Sequence, residues 1–298
     1  MFSIILFIII LISLVYNSSI VISGASRGLM LWYGNVLPIL LPFMLISNII
    51  VQKVSSLKDS GKSKSFYAFV STFLLGLLCG YPLGAKTTAE YVKANTFSKK
   101  TGNILLPICN NCSPMFISGY VIHTILKDSI SFINVLFLIY LPYVFYSIII
   151  ISITYFLNRK DKKPHTLSTI DDKPVTTPQK ETDLIMTGII QITYVGVYIM
   201  LCSIIIEFVN SITYIPEYFV PMISGITEIT GGLSLISQFN YEITLKKALI
   251  LGVTSFGGVS AILQTYKVIK KSGLSLVYYV LFKALCGITT FYMVILFI

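Results

Sequence analysis

The chain has 298 residues, of which 55% are hydrophobic and 11% charged, with a mean hydropathy of +0.84. Soluble domains carry about 25% charged residues, so this composition excludes a soluble globular protein and defines an integral membrane protein whose core forms against lipid. The net charge of +10 does not indicate nucleic acid as a partner, because the lysines fall between apolar stretches, where topology signals belong.

Taken in order, residues 1–22 are apolar, with no basic segment before them and no small-residue cleavage site. They read as a first transmembrane helix rather than a removed signal. Residues 29–51 read as a second span containing Pro38 and Pro42, and 52–65 as a polar loop. Residues 66–94 begin with an apolar run of about fifteen residues, short of the twenty or so that cross a bilayer, and then turn polar at Gly80-Tyr81-Pro82. This fits a re-entrant helical hairpin. Spans follow at 103–126, with a polar centre, and at 130–157. Residues 158–183 form a charged, proline-containing linker. The second half then gives a span at 184–208, a short polar-centred hairpin at 218–239, and spans at 245–266 and 274–297.

The halves match residue by residue when 84–120 is set on 231–267 without a gap. Lys99-Lys100 then falls on Lys246-Lys247, Gly84 on Gly231, Thr87 on Ser234 and Ser113 on Ser260. The expected fold is therefore an all-α polytopic membrane protein of two inverted repeats, each with a re-entrant hairpin and a broken transmembrane helix. Its parts are an N-terminal transmembrane helix (1–27), a first repeat (28–157), a cytoplasmic linker (158–183) and a second repeat (184–298). Re-entrant hairpins put sixteen basic residues on one side of the membrane and leave Arg27, Lys127, Lys246 and Lys247 on the other. The positive-inside rule then places the N-terminus and the linker in the cytoplasm.

Polar and helix-breaking residues at membrane depth are tolerated where they are buried in protein or line a wet cavity. Four stretches qualify. At the first tip, Gly80, Tyr81, Pro82 and Gly84 break one helix and start another. The new helix N-terminus, with Lys86 and Thr87 in its first turns, suits a carboxylate or phosphate; a tight turn with a snorkelling lysine is the plain alternative. In the first broken span, Asn110, Asn111 and Ser113 precede Pro114, and their side chains can serve a ligand or the kinked backbone. The Cys109-x-x-Cys112 spacing there has no second cysteine pair or histidine near it, so packing is favoured over metal or redox chemistry. At the second tip Glu228 is the only acidic residue deep in an apolar segment, beside Thr230 and Gly231. A carboxyl at that depth must be protonated, paired or given to a cavity, and Lys86 and Lys283 are candidate partners. The matching broken span offers Ser255, Gly257, Gly258, Ser260 and Gln264, for close approach of a ligand or for small-residue helix packing. His123 and His165 lack acid–base partners. No nucleophile–base set, zinc motif or nucleotide-binding loop is present, so no enzyme, metal, cofactor or ATP-driven pump is expected.

CGYPLGAK, then a dibasic pair and CNNCSPMFISGYV, then GITEITGG, then TSFGGVSAILQ, resemble the sporulation integral membrane protein family. That family belongs to the nucleoside-recognition (Gate) domain group, related to concentrative nucleoside transporters. The similarity runs from about residue 28 to the end and departs at Cys112, where a small non-thiol residue is expected. It implies movement of dipicolinic acid across the outer forespore membrane. On this reading the tip N-termini with Lys86 hold carboxylates, Asn110, Asn111, Ser260 and Gln264 give directional hydrogen bonds, and Glu228 binds or couples. The expected partners are the lipid bilayer and a small planar anionic substrate, with homo-oligomerisation left open and the cell membrane or outer forespore membrane as location. A nucleoside-like solute is the alternative substrate, and a non-transporting membrane scaffold the alternative class.

Overall fold

A computed structural model describes residues 12–55, 62–158, 181–212 and 214–298, and every regular element among them is helical. The expected loop at 52–65 and the linker at 158–183 lie largely outside the described residues, as do residues 1–11. Five helical stretches among the described residues are long and apolar enough to cross a bilayer: Ser18–Ile46, Phe132–Ile153, Ile185–Ser211, Ile243–Ile269 and Leu276–Phe297.

The first of these departs from the sequence reading. Helix α1 (Ser18–Leu31) passes through a π-helical segment (Trp32–Val36) into α2 (Leu37–Ser55) without a break. No connection separates two spans near residue 27. Gly24 and Gly28 form a contact face on this helix. A Cβ at either would meet backbone of α8 (Glu181–Ser211), 2.7 Å from Ile204 Cα and 2.7 Å from Met200 Cα respectively. Small residues four apart let two membrane helices approach backbone to backbone. Arg27, read from the sequence as marking a loop, sits in this contact and pairs with Glu207 at 2.7 Å. Further along, the Trp32 indole donates to the Ile192 carbonyl at 3.0 Å. The rod and α8 therefore run antiparallel.

Two hairpins follow different arms of the chain. The first is α3 (Lys62–Cys79) and α4 (Leu83–Lys93); the second, after α8, is α9 (Val220–Thr227) and α10 (Ile229–Gln238). At 1.5 Å per residue, the arms of the second are about 12 and 15 Å long, against a hydrocarbon core of about 30 Å. Each hairpin closes on two glycines. A Cβ on Gly84 would meet Gly76 and the Cys109 carbonyl, and one on Gly232 would meet the backbone of Gly225.

Each hairpin is followed by a broken helix. The first is α5 (Lys99–Cys109), an irregular stretch Asn110–Ser113, then α6 (Pro114–Phe116) continuing as a π-helical segment Ile117–Ile125. The second is α11 (Ile243–Phe256) and α12 (Gly258–Ile269), joined at Gly257 (φ +92°) and Gly258 (φ +78°). Left-handed backbone at two successive positions is open to glycine and costly for residues with a Cβ. Single helices α7 (Phe132–Asn158) and α13 (Leu276–Phe297) complete the halves. The same succession of hairpin, broken helix and single helix thus occurs twice. The helices before the two breaks end at Cys109 and Phe256, 147 positions apart (256 − 109) as in the sequence match, and open at Lys99 and Ile243, so α11 is nearly a turn longer than α5.

The connections 94–98 and 270–275 sit at one end of the bundle. The Ser275 N–H donates to Asn103 Oδ1 at 2.8 Å, and Gly273 packs against the Lys99 side chain. Tyr218, Phe239 and Tyr241 cluster at the opposite end of α11 and α12. All five cysteines are buried.

Candidate functional site

Breaking a helix at membrane depth frees backbone groups that water cannot reach, so each must find a partner inside the protein. Tyrosines from neighbouring helices supply much of this. Tyr140 on α7 donates to the Cys112 carbonyl at 2.7 Å, Tyr143 on α7 to the Ser255 carbonyl, and Tyr120 to the Thr230 carbonyl at 2.6 Å. None of these three was singled out by sequence motif. Their signal is a tyrosine in the middle of an apolar span, where a phenyl ring would satisfy hydrophobicity and only a hydroxyl can reach a freed carbonyl.

Asn110 is fully committed within the protein. Its Oδ1 accepts from the Ala85 N–H at 3.2 Å, and its Nδ2 donates to Thr265 Oγ1 at 2.8 Å and to the Tyr279 hydroxyl at 3.0 Å. It joins the first tip to α12 and α13, the kinked-backbone alternative raised by the sequence. The other first-turn amides of α4 are also satisfied: Leu83 and Gly84 donate to the Gly80 carbonyl. The N-terminus expected to hold a carboxylate is closed by the chain itself in this conformation. Thr87 bonds back to the Leu83 carbonyl, and Lys86 is half-buried on the same helix, away from the cavity described below.

Glu228 pairs with neither Lys86 nor Lys283. It is the N-cap of α10, in extended conformation, and its carboxylate forks onto two backbone donors: Oε1 to Thr230 N–H at 2.9 Å and Oε2 to Gly231 N–H at 2.6 Å. A buried carboxylate that accepts two amides at a helix N-terminus has its charge met by the positive end of the helix dipole. The sequence signal for this was present and went unread. Glu228-Ile229-Thr230 repeats as Glu242-Ile243-Thr244, and Glu242 caps α11 through the same two positions, at 3.0 and 3.0 Å.

Lys283, in the first half of α13, is 1% exposed. Its Nζ donates to Asn111 Oδ1 at 2.8 Å and to the Tyr81 hydroxyl at 3.0 Å, and lies 4.8 Å from the Tyr143 ring centre. Asn111 spends its amide on the Ile108 carbonyl at 2.7 Å.

One cavity of about 50 Å³ lies among these elements. Tyr81 borders it from the first tip and Cys112 and Ser113 from the first break. Glu228 and Thr230 come from the second tip, and Gly257, Ser260 and Gln264 from the second break. Val36 and Leu40 of the rod and Val195 and Ile199 of α8 close it. Of the residues expected at the site, these seven reach the cavity: Tyr81, Ser113, Glu228, Thr230, Gly257, Ser260 and Gln264. Gly80, Pro82, Gly84, Gly231, Ser255 and Gly258 shape the backbone around it. Its volume accommodates a few waters. Among the described residues no group of acidic, histidine and cysteine side chains is arranged to hold a metal.

Fold and site together define a multi-pass α-helical membrane protein whose interrupted helices border one small cavity with Glu228, Ser260 and Gln264 in a largely apolar wall. Over 289 residues the chain is 24% identical to the sporulation integral membrane protein YlbJ of Bacillus subtilis, covering 84% of this chain and 70% of that protein. No family model and no solved structure matches it.

Proposed function

We propose that this protein moves a small organic anion across a membrane during spore formation, with dipicolinate as the substrate class. The observation that carries the reading is convergence: both hairpin tips and both helix breaks border one small cavity, largely apolar with a few polar groups in its wall. Interrupted elements that meet in mid-bundle are how secondary transporters build their solute sites. A scaffold has no use for four such interruptions around one cavity. The tie to sporulation rests on the similarity to YlbJ, and dipicolinate on the family resemblance.

The two halves work as inverted repeats with re-entrant hairpins. Arms as short as α9 and α10, and the contact of the first turns of α5 with the 270–275 connection, support this arrangement. The basic stretches 53–64, 93–100, 159–180 and 267–271 then share the cytoplasmic side. The cavity as it stands is smaller than an aromatic dicarboxylate, so loading requires the tips to part. The test is uptake of labelled dipicolinate by proteoliposomes holding the full chain, with uridine as a competitor. Protein-dependent uptake that uridine leaves unchanged is expected. Uptake no greater than in protein-free vesicles removes the proposal, and uptake of uridine in place of dipicolinate replaces the substrate class.

A further inference from the structure

We infer that Lys283, rather than the lysine at the hairpin tip, is the counter-charge that receives the carboxylate of an anionic solute. This inference rests on reading the cavity as a solute site. Three observations bear on it. The first is that the ammonium is buried and has no carboxylate partner: the two ion pairs among the described residues are Arg27–Glu207 and His123–Asp128. A buried cation that meets only neutral dipoles retains much of its desolvation cost, and an anion brought to it recovers that cost.

The second is a surplus of donors. An ammonium has three N–H groups. Those of Lys283 meet two acceptors, Asn111 Oδ1 and the Tyr81 oxygen. The Tyr81 oxygen accepts from Lys283, and its own proton faces only the Cys112 sulfur at 4.0 Å, a weak acceptor, while the thiol has the nearer Thr254 carbonyl at 3.4 Å for its own proton. One free ammonium N–H and one weakly held phenolic O–H therefore lie side by side, and two adjacent donors match the two oxygens of one carboxylate.

The third is position. Tyr81 and Cys112, the residues that touch the ammonium's immediate surroundings, are also wall residues of the cavity. The Tyr81 hydroxyl rests against Gly257 at the second break, where a Cβ would collide with it. A solute entering the cavity meets the Tyr81 ring first, and rotation of that ring exposes the ammonium. Across the cavity the Glu228 carboxylate is turned onto the α10 N-terminus, so the negative charge of the site is already spent within the chain.

The experiment measures ligand-induced thermal stabilisation of the full chain in detergent, using pyridine-2,6-dicarboxylate and its uncharged diamide as probes. Expected is a concentration-dependent rise in Tm with the dicarboxylate, at least tenfold weaker in apparent affinity with the diamide, and absent in Lys283→Met. Lys283→Met also changes the packing of a buried site, so Asn111→Asp is the second variant. It places a carboxylate 2.8 Å from the ammonium, so it should raise the ligand-free Tm and abolish the dicarboxylate response. Equal responses of the wild type to dicarboxylate and diamide, no response to either, or a full response in Lys283→Met or Asn111→Asp overturns the inference. A carboxylate response lost in the variants, together with a wild type that fails to carry dipicolinate into vesicles, keeps Lys283 as the anion site and rejects the transport reading alone.

Discussion

The same three residues, Glu-Ile-Thr, begin two helices fourteen positions apart, and the two starts differ in almost everything except their geometry. At Glu242 the carboxylate forks onto the Thr244 and Leu245 amides at the surface. At Glu228 it forks onto Thr230 and Gly231 with 1% of the residue exposed. Local sequence sets the fork; burial sets what depends on it. If Glu242 is lost, water replaces it. If Glu228 is lost, two buried amides lose the only side chain that meets them. The first hairpin makes the point from the opposite direction: its α4 start has no side-chain cap of its own and relies on Asn110, 25 residues further on.

The largest effect is expected from Glu228→Ala, which leaves two buried N–H groups without partners. Each costs about 1–3 kcal/mol, so a loss of about 3 kcal/mol in unfolding free energy and a drop of several degrees in Tm in detergent should follow. A change of less than one degree would mean that the tip opens to water. Asn110→Ala comes next, at about 2 kcal/mol, through the stranded Ala85 amide and the lost ties to Thr265 and Tyr279. Amide exchange at Ala85 should rise in that variant while Thr230 stays protected; parallel loss at both would join the two tips into one unit. Glu228→Gln keeps one acceptor and the side-chain shape, and should cost about 1 kcal/mol. Thermal unfolding of the three variants side by side checks the order.

Glu242 gives the smallest effect, and it depends on pH. Its two backbone hydrogen bonds hold its carboxyl below the ordinary carboxylate range. The cap therefore contributes fully above the unfolded-state value and is lost as pH falls through the lowered folded value. Protection factors at Thr244 and Leu245, corrected for the intrinsic pH dependence of exchange, should fall only in acid and should be low at every pH in Glu242→Ala, with the global Tm unchanged. The corresponding start of α5 is capped by Ser98, which does not titrate, so the Thr101 amide should show no such dependence.

Much of the architecture was legible because membranes leave few options. Runs of apolar residues give the spans, and Gly, Pro and Asn at their centres give the interruptions. What escaped the reading was satisfied at a distance. Asn110 reads as a ligand contact because its three partners lie 25, 155 and 169 residues away. Lys283 reads as a candidate partner of Glu228 for the same reason: its actual partners, Tyr81 and Asn111, lie 202 and 172 residues away. Gly24, Gly28 and Arg27 read as a connection because a sequence alone does not show the helix they face; once α8 is in place, the same residues are a seam. Glu228 is a different kind of miss, since its cap is local and its twin at Glu242 stands in plain view.

The burial of all five cysteines has a practical side. A membrane-impermeant maleimide reacts only with thiols that reach water, so the natural chain is close to a silent background for mapping sidedness, with none of its cysteines needing removal first. Single cysteines in place of the exposed Lys93, Ser129 and Lys271 would each add one reporter. If both hairpins turn back, Lys93 and Lys271 are labelled from one face and Ser129 from the other; if the second hairpin crosses, Lys93 and Lys271 part company. The packing that hides the thiols from solvent thus leaves the protein ready for its own topology to be read chemically.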